Sequence, residues 1–163
     1  MKTIKQIEIM STPSRIIIKL RKEDIGRKIK FDPNKLPLPL GNWINKDENG
    51  RVWRNESDKD KTREITLKGK YIGIYCHWDG YMENVGAVLK ESFNDYETTL
   101  NLIVGGYCSG IASGEVNHYA NRIGHKWSEI KPLQGSLKHL RDCIYGQYEY
   151  IFENNKWIAK KVL

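Results

Sequence analysis

The chain has 163 residues, of which 39% are hydrophobic, so it is long enough to form one domain with its own core. No apolar run approaches the roughly 20 residues of a membrane-spanning helix, and the opening residues lack the apolar segment of a secretory signal. We therefore expect one soluble domain that makes no membrane contact and stays in the cytoplasm.

The net charge of +7 is unevenly distributed. Residues 1–63 contain 16 Lys and Arg against 9 Asp and Glu, whereas residues 64–163 contain 11 of each. A basic balance attracts anionic partners such as nucleic acid, nucleotides or an acidic protein surface. It can also serve solubility alone, because acidic residues are interspersed and no run of like charge reaches five.

The three cysteines, Cys76, Cys108 and Cys143, are an odd number at wide spacings, which does not predict a disulfide framework. Together with the four histidines they show neither the C-x-x-C nor the H-x-x-x-H spacing of a zinc site. We therefore expect free thiols, no metal site and no cofactor.

The first predicted element is a strand at residues 14–20, SRIIIKL, a short run rich in β-branched residues. Residues 4–9, IKQIEI, are a weaker strand candidate. The chain then becomes polar and rich in turn residues.

Residues 21–66 carry 12 Lys and Arg against 9 Asp and Glu. Their one local unit is a predicted hairpin, with Asn49-Gly50 as a two-residue turn and with Trp43 and Trp53 on its arms. We interpret this segment as a basic, turn-rich insertion in a single domain, because so few apolar residues cannot bury a second core.

Residues 70–78, KYIGIYCHW, are the most strand-like stretch, and Asp79-Gly80 predicts a turn in which Gly80 takes the positive φ. A helix should follow, with Asn84 as its N-cap. The apolar residues at helical spacing in it are Val85, Val88, Leu89 and Phe93.

Later elements are predicted from caps and turns. They are a helix at 96–104 capped by Asp95 and ended by Gly105-Gly106, a loop with an irregular edge strand, a short helix from Ser136 to about Cys143, and a hairpin turning at Asn154-Asn155. The order predicts an α+β fold. We expect a mostly antiparallel sheet, two to three short helices on one side, and the long basic insertion between the first two core strands.

The HWDGY segment concentrates polar and aromatic side chains at the end of the second core strand. In extended backbone, His77 and Asp79 share one face, and Cys76 and Trp78 share the other. Neighbouring Cys76 and His77 therefore point apart and cannot form a cysteine hydrolase dyad. His77 with Asp79 is the usual arrangement of a general base, but the sequence has no nucleophile motif or metal motif beside it.

Two other interpretations of this corner stay open. In the structural one, Asp79, Gly80 and the large rings of Trp78 and Tyr81 form a turn that covers the core edge. In the functional one, His77, the two rings and the free amides of the helix start at Asn84 form a pocket for a nucleotide.

Three segments together resemble a widespread set of small, mostly uncharacterised phage and prophage proteins. These segments are MSTPSRIIIK, YIGIYCHWDGYMENVGAVLKESFND and YEYIFENNKW. The shared pattern is an opening Met-Ser-x-Arg strand, an IYxHWDGYPExVGxxL core and a closing aromatic strand that runs into ENGKW. The matching residues are Ser11, Tyr75, His77, Trp78, Asp79, Gly80, Tyr81, Glu83, Val85, Gly86, Leu89 and Trp157.

Two departures from this pattern stand out. Met82 replaces a proline, and residues 21–66 replace a short turn between the first two strands. By analogy, small phage proteins with a stable core and variable loops often block bacterial immunity, although a fold alone never fixes a function.

The resemblance and the charge together favour a phage-encoded, non-catalytic inhibitor of a bacterial immune system, an anti-CRISPR or other anti-defence protein in the host cytoplasm. Its expected partner is a host defence effector complex or a nucleotide-derived signal. A signal would bind at a pocket built from His77, Trp78, Asp79 and Tyr81. A nucleoprotein, with its nucleic acid, would bind at the basic hairpin, through Trp43, Arg51, Trp53 and Arg54.

Two alternatives remain from the sequence. One is a nucleotide hydrolase or phosphodiesterase that uses His77 with Asp79 or His118. The other is a phage structural or accessory protein without enzymatic activity.

Overall fold

The structure, a computed structural model, describes residues 11–41, 63–121 and 127–163 and the backbone of residues 45–46 and 52–53. In chain order the strands are β1 (Ser14–Lys19), β2 (Lys28–Lys30), β3 (Asn45–Lys46), β4 (Val52–Trp53), β5 (Glu64–Thr66), β6 (Tyr71–Cys76), β7 (Cys108–Gly110), β8 (Asn117–His118), β9 (Leu133–Gly135), β10 (Tyr148–Glu153) and β11 (Lys156–Lys161). The α-helices are α1 (Ala87–Ser92), which continues a π-helical turn at Met82–Gly86, α2 (Tyr96–Val104), α3 (Trp127–Ile130) and α4 (Leu137–Cys143).

The apolar run of β1 lies inside the main sheet. It pairs antiparallel with β6 on one edge and parallel with β10 on the other. The sheet order is β11, β10, β1, β6, β7 and β8, and β9 also pairs with β6. Four of its six strand pairings are antiparallel, so the predicted α+β fold with a mostly antiparallel sheet is confirmed.

The helices cover both faces of this sheet. Ile16 and Ile18 of β1 belong to the larger core, which includes the buried side chains of α1 and α2. Ile17 points to the opposite face, where it joins a smaller core with Leu140 of α4. The expectation of helices on one side alone was therefore wrong, because a strand that is apolar at consecutive positions needs cover on both faces.

Part of the polar segment between β1 and β6 is built into the domain. β2 and β5 form a two-stranded sheet. Ile29, Phe31 and Leu67 from the same region enter the larger core. The described residues thus form a single domain, and the idea that residues 21–66 are an insertion relative to similar proteins stays a prediction.

Two short strands pair in the region of the predicted tryptophan hairpin. β3 and β4 are antiparallel, with Asn45 opposite Trp53 and Lys46 opposite Val52. The predicted turn at Asn49-Gly50, the weaker strand at 4–9, and Trp43, Arg51 and Arg54 lie outside the described residues.

Several local signals are confirmed. Asp95 caps α2 by accepting a hydrogen bond from the Thr98 amide at 2.8 Å. Ser136 caps α4 in the same way. Asn154 and Asn155 have φ values of 53° and 60°, as the two-residue turn between β10 and β11 requires.

A buried ion cluster lies beside α4 on the smaller-core face. Glu149 of β10 is 1% exposed and accepts hydrogen bonds at 2.8 Å from Arg15 and from both ends of the Arg141 fork. Arg15 also donates to the carbonyl of Ile144 at 3.1 Å. Burial raises the pKa of Glu149, but the hydrogen bonds from Arg141 and Arg15 outweigh it and lower the pKa to about 2. Glu149 therefore stays ionised and ties two strands to the end of α4.

We predict that Glu149→Gln lowers the free energy of unfolding by about 3 kcal/mol at neutral pH, because it leaves the buried Arg15 without its counterion. The measurement is urea denaturation followed by circular dichroism. Glu153→Gln is the matched control on the same strand. It removes the partly exposed pair with Lys19 and should cost less than about 1 kcal/mol.

The lowered pKa of Glu149 predicts that the stability of the fold depends on pH. Since the pKa of Glu149 is lower in the folded chain than its ordinary value of 4.5, its contribution is complete above about pH 4.5 and is lost as the pH falls toward 2. Equal cost for the two variants, or a Glu149→Gln variant whose stability falls over this window as the wild type's does, would contradict this account.

Candidate functional site

The HWDGY corner is a rigid joint between three parts of the sheet. After β6, the amides of His77 and Trp78 donate to the carbonyls of Cys108 and Ser109, at 3.1 and 2.8 Å. The corner therefore follows the edge of β7 before it turns toward the helix.

Gly80 is required by close packing and not by a positive φ. Its amide donates to the Thr12 carbonyl at 2.7 Å, and its carbonyl accepts from the Tyr150 hydroxyl at 2.6 Å. A Cβ at this position would lie 2.5 Å from the Thr12 carbonyl oxygen. The positive φ of the turn, 55°, belongs to Asp79, so the expectation that Gly80 takes it was wrong.

His77 does not form the predicted pair with Asp79. Its Nδ1 lies 2.7 Å from the Tyr75 hydroxyl and its Nε2 lies 3.4 Å from Ser11 Oγ. Burial raises the pKa of Tyr75 to about 12, so this phenol keeps its proton at neutral pH. Among the described residues, the partners of the imidazole are thus two hydroxyls, and Asp79 is exposed on the turn.

The amides expected to attract phosphate are already used. The helix begins at Met82 as a π-helical turn, so Asn84 lies inside it and is not the N-cap. The amides of Asn84 and Gly86 donate to the Tyr81 carbonyl, and that of Val85 donates to the Asp79 carbonyl. The anchored turn at Gly80 fixes where the helix starts, and this tertiary constraint overrides the local cap signal.

Trp78 and Tyr81, two further predicted site residues, have different surroundings. Trp78 is 40% exposed, and its ring meets His77 edge-on at 4.4 Å. Tyr81 instead packs its ring against Tyr148, with centroids 5.8 Å apart. Of the residues predicted to bind at the basic hairpin, Trp53 is described by its backbone alone, and Trp43, Arg51 and Arg54 lie outside the described residues.

His118 is a buried structural residue. It is 0% exposed, its Nε2 donates to the Leu102 carbonyl at 2.8 Å, and its Nδ1 lies 3.5 Å from Arg63 Nη1. The Phe31 ring meets it edge-on at 5.1 Å. Burial and the Arg63 charge lower the pKa of His118 to about 3. The ring is thus enclosed on its described sides, and the hypothesis that it assists His77 in catalysis stays an untested prediction.

A basic cleft of about 550 Å³ lies between β2 and α2. Its lining residues are Arg27, Lys28, Ile29, Lys30, Lys35, Glu97, Thr98, Leu100 and Asn101. Arg27 and Glu97 neutralise each other through two hydrogen bonds of 2.8 and 3.0 Å. Lys28, Lys30 and Lys35 have no ion pair with any described residue, so the cleft has a net positive charge.

An aromatic cleft of about 430 Å³ lies between the helix after the corner and the last hairpin. Its lining residues are Met82, Gly86, Lys90, Asn94, Tyr150, Phe152, Asn155, Lys156, Trp157 and Ala159. The indole of Trp157 is fixed by donating to the Phe93 carbonyl at 2.7 Å. The lining contains two lysines and no acidic residue. Rings and cations together can hold a flat anionic molecule.

Sequence reasoning missed both clefts. The alternation of charged and apolar residues at Lys28, Ile29 and Lys30 is typical of a half-buried strand, and it could have indicated the strand that lines the basic cleft. The aromatic cleft joins residues that are about 70 positions apart, and no local pattern shows such a contact.

A scan against protein-family models, a search of curated proteins and a search of solved structures each found no match for this chain. Within the described ranges, no three His, Cys, Asp or Glu residues are grouped as metal ligands. In the same part of the chain, no helix has the length and hydropathy needed to cross a bilayer.

We predict that Gly80→Ala destabilises the fold by about 1–3 kcal/mol, because the new Cβ must displace the backbone at Thr12. The measurement is thermal unfolding by calorimetry. Gly110→Ala is the control in the same corner, because its Cβ would meet Trp78 at an ordinary 3.7 Å. A Gly80→Ala protein as stable as the control would contradict the close-approach argument.

We predict that the ring of His118 does not titrate between about pH 8 and 5 in the folded chain. Proton and nitrogen NMR of the imidazole measures this directly. Because the unfolded chain takes up a proton near the ordinary pKa of 6.5 and the folded chain does not, stability should fall as the pH drops below about 6.5. Titration of His118 near pH 6.5 in the folded state would show that the ring is accessible.

Proposed function

We propose that this chain is a non-catalytic binding protein for an anionic partner, and that it acts in the host cytoplasm as a phage-encoded inhibitor of a bacterial immune system. The observation that carries the binding function is the basic cleft, which collects three lysines without an ion-pair partner among the described residues. The phage setting rests on the resemblance of the HWDGY core to phage proteins.

The lysines of the basic cleft are held by a fixed support. Ile29 is 9% exposed and belongs to the larger core, so its neighbours Lys28 and Lys30 point outward from an anchored strand. Alternate residues of a strand lie about 6.6 Å apart on one face. The two charges are therefore presented in a fixed spacing to a partner with several negative groups, such as the phosphates of a nucleic acid in an effector complex.

The geometry of the corner favours binding over catalysis. Among the described residues, the imidazole of His77 contacts the hydroxyls of Tyr75 and Ser11 and is not paired with a carboxylate that would prepare it as a base. Beside it, Trp78 exposes two-fifths of its surface on a corner fixed by backbone hydrogen bonds. Tryptophans of this kind are common anchors of protein interfaces.

A nucleotide-derived signal is the second candidate partner, and the aromatic cleft favours it. Its floor is formed by Tyr150 and Phe152, and its rim carries Lys90 and Lys156. A base would stack on the rings and its phosphates would meet the lysines. This places the proposed signal site next to the HWDGY corner and not inside it.

The test of the nucleic-acid partner is binding of the full chain to a labelled single-stranded DNA and to RNA of the same sequence, by fluorescence anisotropy between about 50 and 200 mM salt. Lys28→Gln with Lys30→Gln should weaken binding and lower the slope of log affinity against log salt by about 1.4, because each lost phosphate contact removes about 0.7. Lys68→Gln with Lys161→Gln removes the same charge from exposed positions outside both clefts and should leave the slope nearly unchanged.

A variant in the aromatic cleft distinguishes the nucleotide-derived signal from the nucleic acid as the partner. Ala159→Phe should fill that cleft and abolish binding of mononucleotides or cyclic dinucleotides seen by native mass spectrometry, without changing the salt slope for nucleic acid. Plaque counts on bacterial strains that each carry one defence system then test the biological role. Absence of both kinds of binding and of any protection would overturn the proposal, and turnover of a nucleotide that is lost in His77→Ala would favour the hydrolase.

A further inference from the structure

Helix α4 displays a histidine and a cysteine one turn apart on its outer face. The helix is held by its Ser136 cap and by the buried side chain of Leu140. Both His139 and Cys143 are exposed, and the distance from His139 Nδ1 to Cys143 Sγ is 3.8 Å. Residues at i and i+4 are neighbours on a helix, so the pair is set by the helix itself.

The separation of the two atoms matches that of two ligands on one metal ion. With a metal–sulfur distance of about 2.3 Å and a metal–nitrogen distance of about 2.0 Å, tetrahedral coordination places sulfur and nitrogen about 3.5 Å apart. From this geometry we propose that His139 and Cys143 chelate a soft divalent cation, with Zn²⁺ as the best match to one imidazole and one thiolate. On binding, the thiol proton is released to solvent and the sulfur and Nδ1 lone pairs coordinate the ion.

The charges around the pair permit a cation to approach. Of the two other cationic side chains of α4, Lys138 pairs with Asp142 at 2.6 Å, and Arg141 is turned to the buried Glu149 at 2.8 Å, a carboxylate that it shares with Arg15. Cys76 and Cys108 are completely buried, so their thiols do not compete for the ion. None of these residues lines the basic cleft or the aromatic cleft, and the site is therefore independent of the proposed function.

The mixed spacing explains why sequence reasoning passed over the pair. Zinc sites were sought as two cysteines or two histidines at short spacing, whereas His-x-x-x-Cys on a helix brings one of each together. Two protein ligands leave two tetrahedral positions for water or for a group from another molecule.

The test is titration of the full chain with Co²⁺, which reports thiolate coordination by a charge-transfer absorption, followed by displacement with Zn²⁺. We expect one equivalent to bind with this absorption. Cys143→Ser should abolish it. His139→Gln should weaken metal binding at least about 10-fold, because the loss of even an outer-shell partner lowers metal affinity by about 10-fold or more. Asp142→Asn is the matched control on the same helix and should retain the absorption, with affinity within a few-fold of wild type.

The same distance is also compatible with an S–H···N hydrogen bond, and the titration separates the two. If the wild-type chain shows no thiolate–cobalt absorption, the pair forms only that hydrogen bond and the proposal is overturned. An absorption that survives in Cys143→Ser, or an affinity unchanged in His139→Gln, would assign the metal to other residues and overturn it as well.

Discussion

The pairing of β1 on both of its edges is the constraint on which the rest of the structure depends. Its residues from Ser14 to Ile18 are buried, and β6 and β10 use the hydrogen bonds on its two sides. A strand in this position has no solvent face, so the chain must supply cover above and below it. The larger core with α1 and α2 and the smaller core with α4 are the two halves of that cover.

This central position also explains the buried charges. Arg15 is 6% exposed because it lies on β1, and an isolated guanidinium there would be costly. Glu149 on the parallel neighbour β10 lies directly opposite it in the register, and Arg141 from α4 completes the cluster. The ion cluster thus links β1, β10 and α4, in addition to satisfying its own charges.

Elements with a strong local signal could be predicted from the sequence, and elements formed by distant pairing could not. The apolar run of β1, the caps at Asp95 and Ser136 and the turn at Asn154 and Asn155 each act within a few residues. β2, β5 and β9 are three residues long and exist because a distant strand completes their hydrogen bonds. The candidate site followed the same rule, since the aromatic cleft is lined by residues far apart in the chain, such as Lys90 of α1 and Lys156 of β11.

The corner that first suggested chemistry and the aromatic cleft are joined through one residue, Tyr150. Tyr150 donates to the Gly80 carbonyl at the corner and forms the floor of the aromatic cleft with the same ring. Ordering flexible groups on binding costs free energy, and a surface fixed in advance avoids much of that cost. Such a surface suits recognition. At the corner, the described hydrogen-bond partners of His77 are the hydroxyls of Tyr75 and Ser11, and Asp79 is not among them. The backbone hydrogen bonds of the HWDGY corner thus also support one wall of the aromatic cleft, because they hold the start of the helix that lines it.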